Sequence, residues 1–287
     1  MTGESAPYRP LAPGLAILAS MLSVNFGAAY AKHLFPLVGS AGVTAVRVGL
    51  ASCLLLAFWR PWRVPLVRRD AVNLALYGLM LGAMNLLIYA AFARIPIGVA
   101  IAIEVTGPLA VVVLSSRRPR DFAWVACAAL GLWLLLPLRP GAAALDPVGV
   151  ACALAAGACW ALYIVFGKRV STLKGGHAVA WGMLVAATVT VPVGLAQAGS
   201  ALFQPAVLAG GLAVALLSSV LPYSLEMMAL ARLPRRVFGI LVSAGPAVGA
   251  LAGFAMLGER LDTLQWTAVA LIILACAGSA ATASKNS

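Results

Sequence analysis

Apolar residues run through this chain in long blocks, and polar residues gather in the short gaps between them. The blocks show neither the strict alternation of a half-buried strand nor the single stripe of a helix on a soluble core. They match helices that are apolar on every side. At roughly 20 residues per crossing they predict ten membrane spans: 11–31, 42–58, 71–92, 96–116, 122–138, 147–167, 177–197, 206–230, 236–257 and 264–283. The gaps carry turn and breaker residues such as Pro36, Gly39, Pro61, Pro65, Pro140 and Gly141, the residue types that end helices and turn chains.

Composition agrees with this pattern. The 287 residues are 63% apolar and 10% charged, with mean hydropathy +1.01, where a soluble domain is about half apolar and a quarter charged. An all-α integral membrane protein is expected, with no room for a soluble catalytic or nucleic-acid-binding domain. The net charge of +12 reads as membrane topology and not as nucleic-acid binding. Basic residues cluster in alternate gaps, at Arg60, Arg63, Arg68 and Arg69, at Arg117, Arg118 and Arg120, at Lys168, Arg169 and Lys174, and at Arg232, Arg235 and Arg236. The intervening gaps hold only Lys32, Arg94, Arg139 and Arg260. The positive-inside rule then places both termini in the cytoplasm, which requires an even number of spans. The start, MTGESAPYRPLAPG, lacks the charged opening of a signal peptide, so insertion is expected to rely on the first span. Cys53, Cys127, Cys152, Cys159 and Cys276 all fall inside apolar blocks, as small buried hydrophobes do, without the spacing of a disulfide framework or zinc site.

The chain also repeats itself weakly. AFARIP (Ala91 to Pro96) returns as ALARLP (Ala229 to Pro234), and Thr106-Gly107-Pro108 aligns with Ala244-Gly245-Pro246. Lys32 aligns with Lys168, and Trp124 with Trp266. A nearly constant offset of about 140 residues predicts a duplicated unit, 1–140 and 141–287, with five spans in each. Because five is odd, the second unit enters the membrane the other way up. Inverted repeats of this kind are characteristic of secondary transporters, whose sites lie where the halves meet. Small residues at four-residue spacing, such as Gly78/Gly82 and Gly245/Gly249/Gly253, fit ordinary close packing of spans.

Against this apolar background the polar residues inside spans stand out. Glu104 lies eight residues into IGVAIAIEVTGPLAVVVLSS (Ile97 to Ser116), about 12 Å deep at 1.5 Å per residue. A carboxylate at that depth is costly and marks a functional site unless a neighbouring base neutralises it. Pro108 has no N–H to give to the carbonyl four residues back, which is that of Glu104. A locally broken helix carrying both groups is expected, with the Gly107-Pro108 pair repeated as Gly245-Pro246. Arg47, in GVTAVRVGLA, is the basic residue within a span. It has three open roles: pairing with Glu104, holding a substrate carboxylate in its fork, or snorkelling to the outer surface. Glu226, in LPYSLEMMAL, stands six residues before Arg232 at a span end, where a structural pair is the simpler reading. Pro222 breaks that span beside Tyr223 and Ser224. Asn25, Asn85, Tyr89, Trp160 and Tyr163 are further intramembrane groups that could line a polar cavity with Glu104, or simply bond helix to helix.

Catalytic signatures do not appear. His33 and His177 sit at span ends, and there is no H-E-x-x-H, G-x-S-x-G or Walker loop. No enzyme, metal, cofactor or ATP-driven pump is expected. A channel lacks its ring of charges or filter repeat.

The segments AKHLFPLVGSAGVTAVR (Ala31 to Arg47), GAMNLLIY (Gly82 to Tyr89), EVTGPLAV (Glu104 to Val111), SSRRPRDFAWV (Ser115 to Val125), GACWALYI (Gly157 to Ile164), LPYSLEMMALARLP (Leu221 to Pro234) and FGILVS (Phe238 to Ser243) carry a nearly end-to-end resemblance. Together they resemble the EamA-type branch of the drug/metabolite transporter superfamily. The resemblance implies ten helices in two inverted repeats, in a bacterial inner membrane. It also implies export of small hydrophilic amino acids such as threonine and homoserine, in exchange for protons. Export of other metabolites or of amphipathic toxic compounds, and uncoupled facilitation, are the alternatives. Arg47, Asn85, Glu104 and Glu226 carry over as site candidates. The superfamily often has an acid before the proline of the ninth span, and here that residue is Gly245.

Overall fold

A computed structural model describes residues 11–63, 68–114, 119–135, 145–170, 176–222, 225 and 243–283. The described residues are helical, with no strand among them. In chain order they form α1 (Leu11–Trp59), α2 (Arg68–Phe92), α3 (Ile97–Glu104), α4 (Thr106–Leu114), α5 (Pro119–Leu135), α6 (Pro147–Val170), α7 (His177–Ala198), α8 (Pro205–Ala215), α9 (Gly245–Leu257) and α10 (Thr263–Ala283). A π-turn, Leu216–Val220, follows α8.

The first helix is two limbs. Gly39 sits at φ 69° and ψ 172°, a backbone setting open to glycine and closed to other residues. Pro36, three residues earlier, weakens the helix on the approach to it. The second limb restarts with an unsatisfied donor, the Ala41 N–H, which donates to Gln197 Oε1 at 3.0 Å from the end of α7. This corner separates the spans predicted over 11–31 and 42–58.

Helices with the length and apolar character to cross a membrane include Asp70–Phe92, Pro147–Val170 and His177–Phe203. Large apolar side chains such as Leu15, Leu130, Leu251 and Leu274 face outward. Polar Asn25, Arg47, Asn85 and Glu104 face inward. That reversal suits a lipid surround, where backbone groups are satisfied within helices and polar side chains need partners inside the protein.

Much of the packing joins the first part of the chain to the second. The limbs of α1 lie against α7, α8 and α9, α2 lies against α6 and α7, α3 against α9 and α6, and α5 against α10. One end of the bundle gathers Gly39, Arg94, Asp146, Gln197 and Glu259. There Arg94 Nη1 meets Asp146 Oδ2 at 2.9 Å while Asp146 Oδ1 caps α6 through the Val148 N–H at 2.8 Å. The Arg94 guanidinium and this cap hold the Asp146 carboxyl below its ordinary range. At the opposite end, Trp59 meets the His177 ring edge-on at 6.3 Å.

Candidate functional site

The second limb of α1 carries Arg47 inward, 5% exposed. It does not snorkel. Its Nη2 donates to Asn85 Oδ1 on α2, and its Nη1 lies 3.4 Å from Ser219 Oγ on the π-turn. The guanidinium carbon stands 4.8 Å over the ring of Tyr89, one turn beyond Asn85, in cation–π range. Asn85 is itself fixed, because its Nδ2 donates to the Leu81 carbonyl at 2.7 Å. Three elements therefore aim one charge, while Arg47 Nε and the Tyr89 hydroxyl are buried with no hydrogen-bond partner among the described residues.

The acid arrives on a different rod. Helix α3 ends at Glu104, Val105 interrupts the helix, and α4 restarts at Thr106. Pro108 supplies no donor to the Glu104 carbonyl, and that oxygen faces α6: a Cβ added at Gly157 would stand 2.7 Å from it. A Cβ at Gly107 would overlap the Gly157 carbonyl. Two glycines thus let α6 press directly on the break. Thr106 Oγ1 donates to the Ile103 carbonyl at 2.6 Å, closing the last turn before it. The Glu104 side chain is 8% exposed, and no hydrogen bond or ion pair reaches its carboxylate among the described residues. Arg47 and Glu104 do not form an ion pair. A basic and an acidic side chain are therefore both buried without pairing with each other, although burial of an unpaired charge costs several kcal/mol.

The other candidates divide. Asn25 is buried on the first limb of α1, its Nδ2 donating back to Met21 at 2.7 Å and its Oδ1 unpartnered beside Gly249 of α9. Tyr163 lies away from Arg47: its hydroxyl meets that of Tyr77 at 2.9 Å, with the rings stacked at 4.6 Å. Trp160 packs on the apolar core without a hydrogen bond among the described residues. Gly245 and Pro246 open α9 and do not interrupt its interior. Tyr223 and Glu226 lie outside the described residues. A shallow groove between α4 and α6, lined by Gly107, Ala110, Leu154, Gly157, Ala161 and Leu162, is apolar and holds neither charge.

Comparison with known proteins assigns the chain. Residues 147–281 match the EamA-like transporter family. The threonine/homoserine exporter RhtA of Escherichia coli K12 is 50% identical over 275 residues, which cover 96% of this chain and 93% of that protein. The chain belongs to the EamA-like transporter family. Its other relatives include RhtA of Salmonella typhimurium LT2, 49% identical over 98% of this chain. The uncharacterized inner membrane transporter YedA of Escherichia coli K12 is 30% identical over 81%. A solved crystal structure of another protein shares the fold, with TM-score 0.60 at 19% identity over 94% of this chain and 96% of its own.

As a transporter of this family the chain has polar groups that the sequence reading passed over. Ser218 and Ser219 are both buried in the π-turn, and Ser219 touches Arg47. Pro222, four residues after Ser218, removes the donor that would bond the Ser218 carbonyl in an α-helix. The Ser-Ser pair upstream of a mid-span proline was the available signal. Ser23 Oγ then donates to the Leu217 carbonyl at 2.7 Å from α1. Glu259 was also passed over, and it forms an ion pair with Lys32.

Proposed function

We propose that this transporter exports small hydrophilic amino acids of the threonine/homoserine kind by secondary transport, with protons as the counter-ion. One observation carries the reading: the basic Arg47 and the acidic Glu104 are both buried and are not paired with each other. An amino acid at neutral pH is itself a zwitterion. Its carboxylate fits the arginine fork, which gives two parallel hydrogen bonds to a planar anion. Its ammonium fits the carboxylate of Glu104. When the amino acid leaves, a proton on Glu104 neutralises the acid for the return step. One carboxylate then serves cargo and counter-ion in turn, which makes the exchange obligatory. The relatives named as threonine/homoserine exporters support this cargo class.

The frame supports alternating access. If each predicted span corresponds to the one five places later, α5 with α10 and α3 with α9 are pairs of equivalents in contact, and α2 on α6 mirrors α8 on α1. Such pairing is what two inverted repeats require. In this reading the units are 1–140 and 141–287, there are ten spans, and the arginine-rich loops and both termini face the cytoplasm of a bacterial inner membrane.

Purified protein in liposomes tests the proposal. Labelled threonine or homoserine is expected to move faster when a proton gradient is imposed, and counterflow that ignores the gradient would leave facilitation as the better account. Glu104→Gln is expected to lower gradient-driven flux by about two orders of magnitude, the scale of a lost charged contact. Wild-type flux in that variant would remove Glu104 from the mechanism. Equal movement of large apolar cations would favour a multidrug exporter.

A further inference from the structure

We propose that Glu259 is the latch of the transport cycle at the end of the molecule opposite the arginine-rich loops. Its carboxylate must release its partners before the site can open on that side. The inference rests on the transport reading above and adds to it the residue that controls access.

Glu259 follows α9, and three features fold it back over that helix. Gly258 adopts the left-handed conformation at φ 67°, the usual glycine stop of a helix. The Gly258 N–H donates to the Phe254 carbonyl at 3.2 Å and the Glu259 N–H to that of Gly253 at 3.1 Å. Gly253 leaves the space that the Glu259 carboxylate occupies, since a Cβ there would overlap it. So held, the carboxylate makes two contacts with the first part of the chain. Oε1 accepts from Lys32 Nζ of α1 at 2.5 Å, and Oε2 accepts from the Ile97 N–H at 2.9 Å. One side chain thereby joins α1, α3 and α9. The pair is largely shielded, with side-chain exposures of 19% for Lys32 and 13% for Glu259, so water weakens it less than an exposed pair.

The Ile97 contact gives the latch its reach. Ile97 begins α3 and Glu104 ends it. The same short rod has the latch at one end and the proposed site carboxylate at the other, about 10 Å apart at 1.5 Å per residue. Helix α3 also packs tightly on α9, where a Cβ at Gly98 would stand 2.6 Å from the Ala250 Cα. A rod this short and close-packed shifts as a unit, so movement at Glu104 is transmitted to Ile97.

The test uses the full chain in oriented membrane vesicles, with native cysteines replaced and one reporter cysteine at Ile101 on α3. Labelling by a membrane-impermeant thiol reagent from the latch side needs no substrate, so it reads the latch whether or not threonine proves to be the cargo. Glu259→Gln is expected to speed labelling from that side about tenfold, the effect of losing one charged contact on a two-state balance. The exchanged pair Lys32→Glu/Glu259→Lys is expected to bring it back towards the parent rate. Unchanged labelling in Glu259→Gln, or faster labelling confined to the arginine-rich side, overturns the proposal. A second variant guards against simple misfolding. Oxidation of Lys32→Cys/Glu259→Cys is expected to stop counterflow of whichever substrate the parent moves, with reductant restoring it. Full-rate counterflow through the cross-linked protein also overturns the latch.

Discussion

Arg47 keeps a full charge away from water because three neighbours share the work: Asn85 accepts from Nη2, Ser219 lies by Nη1, and the Tyr89 ring covers one face. Placed on different sides of the group, the three match the spread of a flat, forked cation better than that of a compact ammonium. Arg47→Lys therefore keeps the charge and loses the geometry. Substrate uptake in liposomes is expected to show KM raised by about tenfold or more with a smaller change in maximal rate if, as proposed, the fork acts in binding. Equal KM in the two proteins would mean that Arg47 only neutralises the interior. The prediction separates this residue from Glu104, whose loss is expected to abolish the response to a proton gradient and not merely to weaken binding.

At the scale of elements the breaks matter more than the helices. Helix α3 stops at Glu104 because Pro108 cannot bond back to it, and α6 then closes on the exposed carbonyl through Gly157. Gly157→Val would drive a branched side chain into that carbonyl. A loss of about 1–3 kcal/mol is expected from overpacking, read as a lower unfolding temperature in detergent. An unchanged melting temperature would show that the helices part freely here. This break was legible in the sequence because proline acts on its own turn. The inward placing of Glu104 and Arg47 was legible for a related reason, since a charged group in an apolar run is driven into the protein. Rotation about each helix axis is set only by packing. That is why Tyr163, grouped by sequence with the cavity residues, stacks on Tyr77 instead, and why Ser219 was not paired with Arg47. Lys32 and Glu259 are farther apart still in sequence, and nothing near either residue announces the other.

For the whole molecule, the packing fixes what can be separated and what cannot. Each half of the chain has neighbours mainly in the other: α1 on α7, α8 and α9, α2 on α6 and α7, α5 on α10. The two charges follow the same rule. Arg47 and Glu104 both come from the first half, yet Arg47 is steadied by Ser219 and the Glu104 break is covered by Gly157, both from the second. Among the described residues the proposed site thus draws on both halves, as suits helices that associate in lipid through close packing and polar contacts and not through a hydrophobic drive. Expressed alone, fragments 1–140 and 141–287 are expected to be degraded. Co-expressed as separate chains they are expected to co-purify and to recover a measurable share of wild-type flux, since the helix contacts between them do not need a peptide bond at residue 140. A fragment stable by itself in detergent would mean that the repeats are true domains. The interface between halves, with Glu259 at one end of it and Glu104 inside it, would then be an added contact and not the frame on which the site is built.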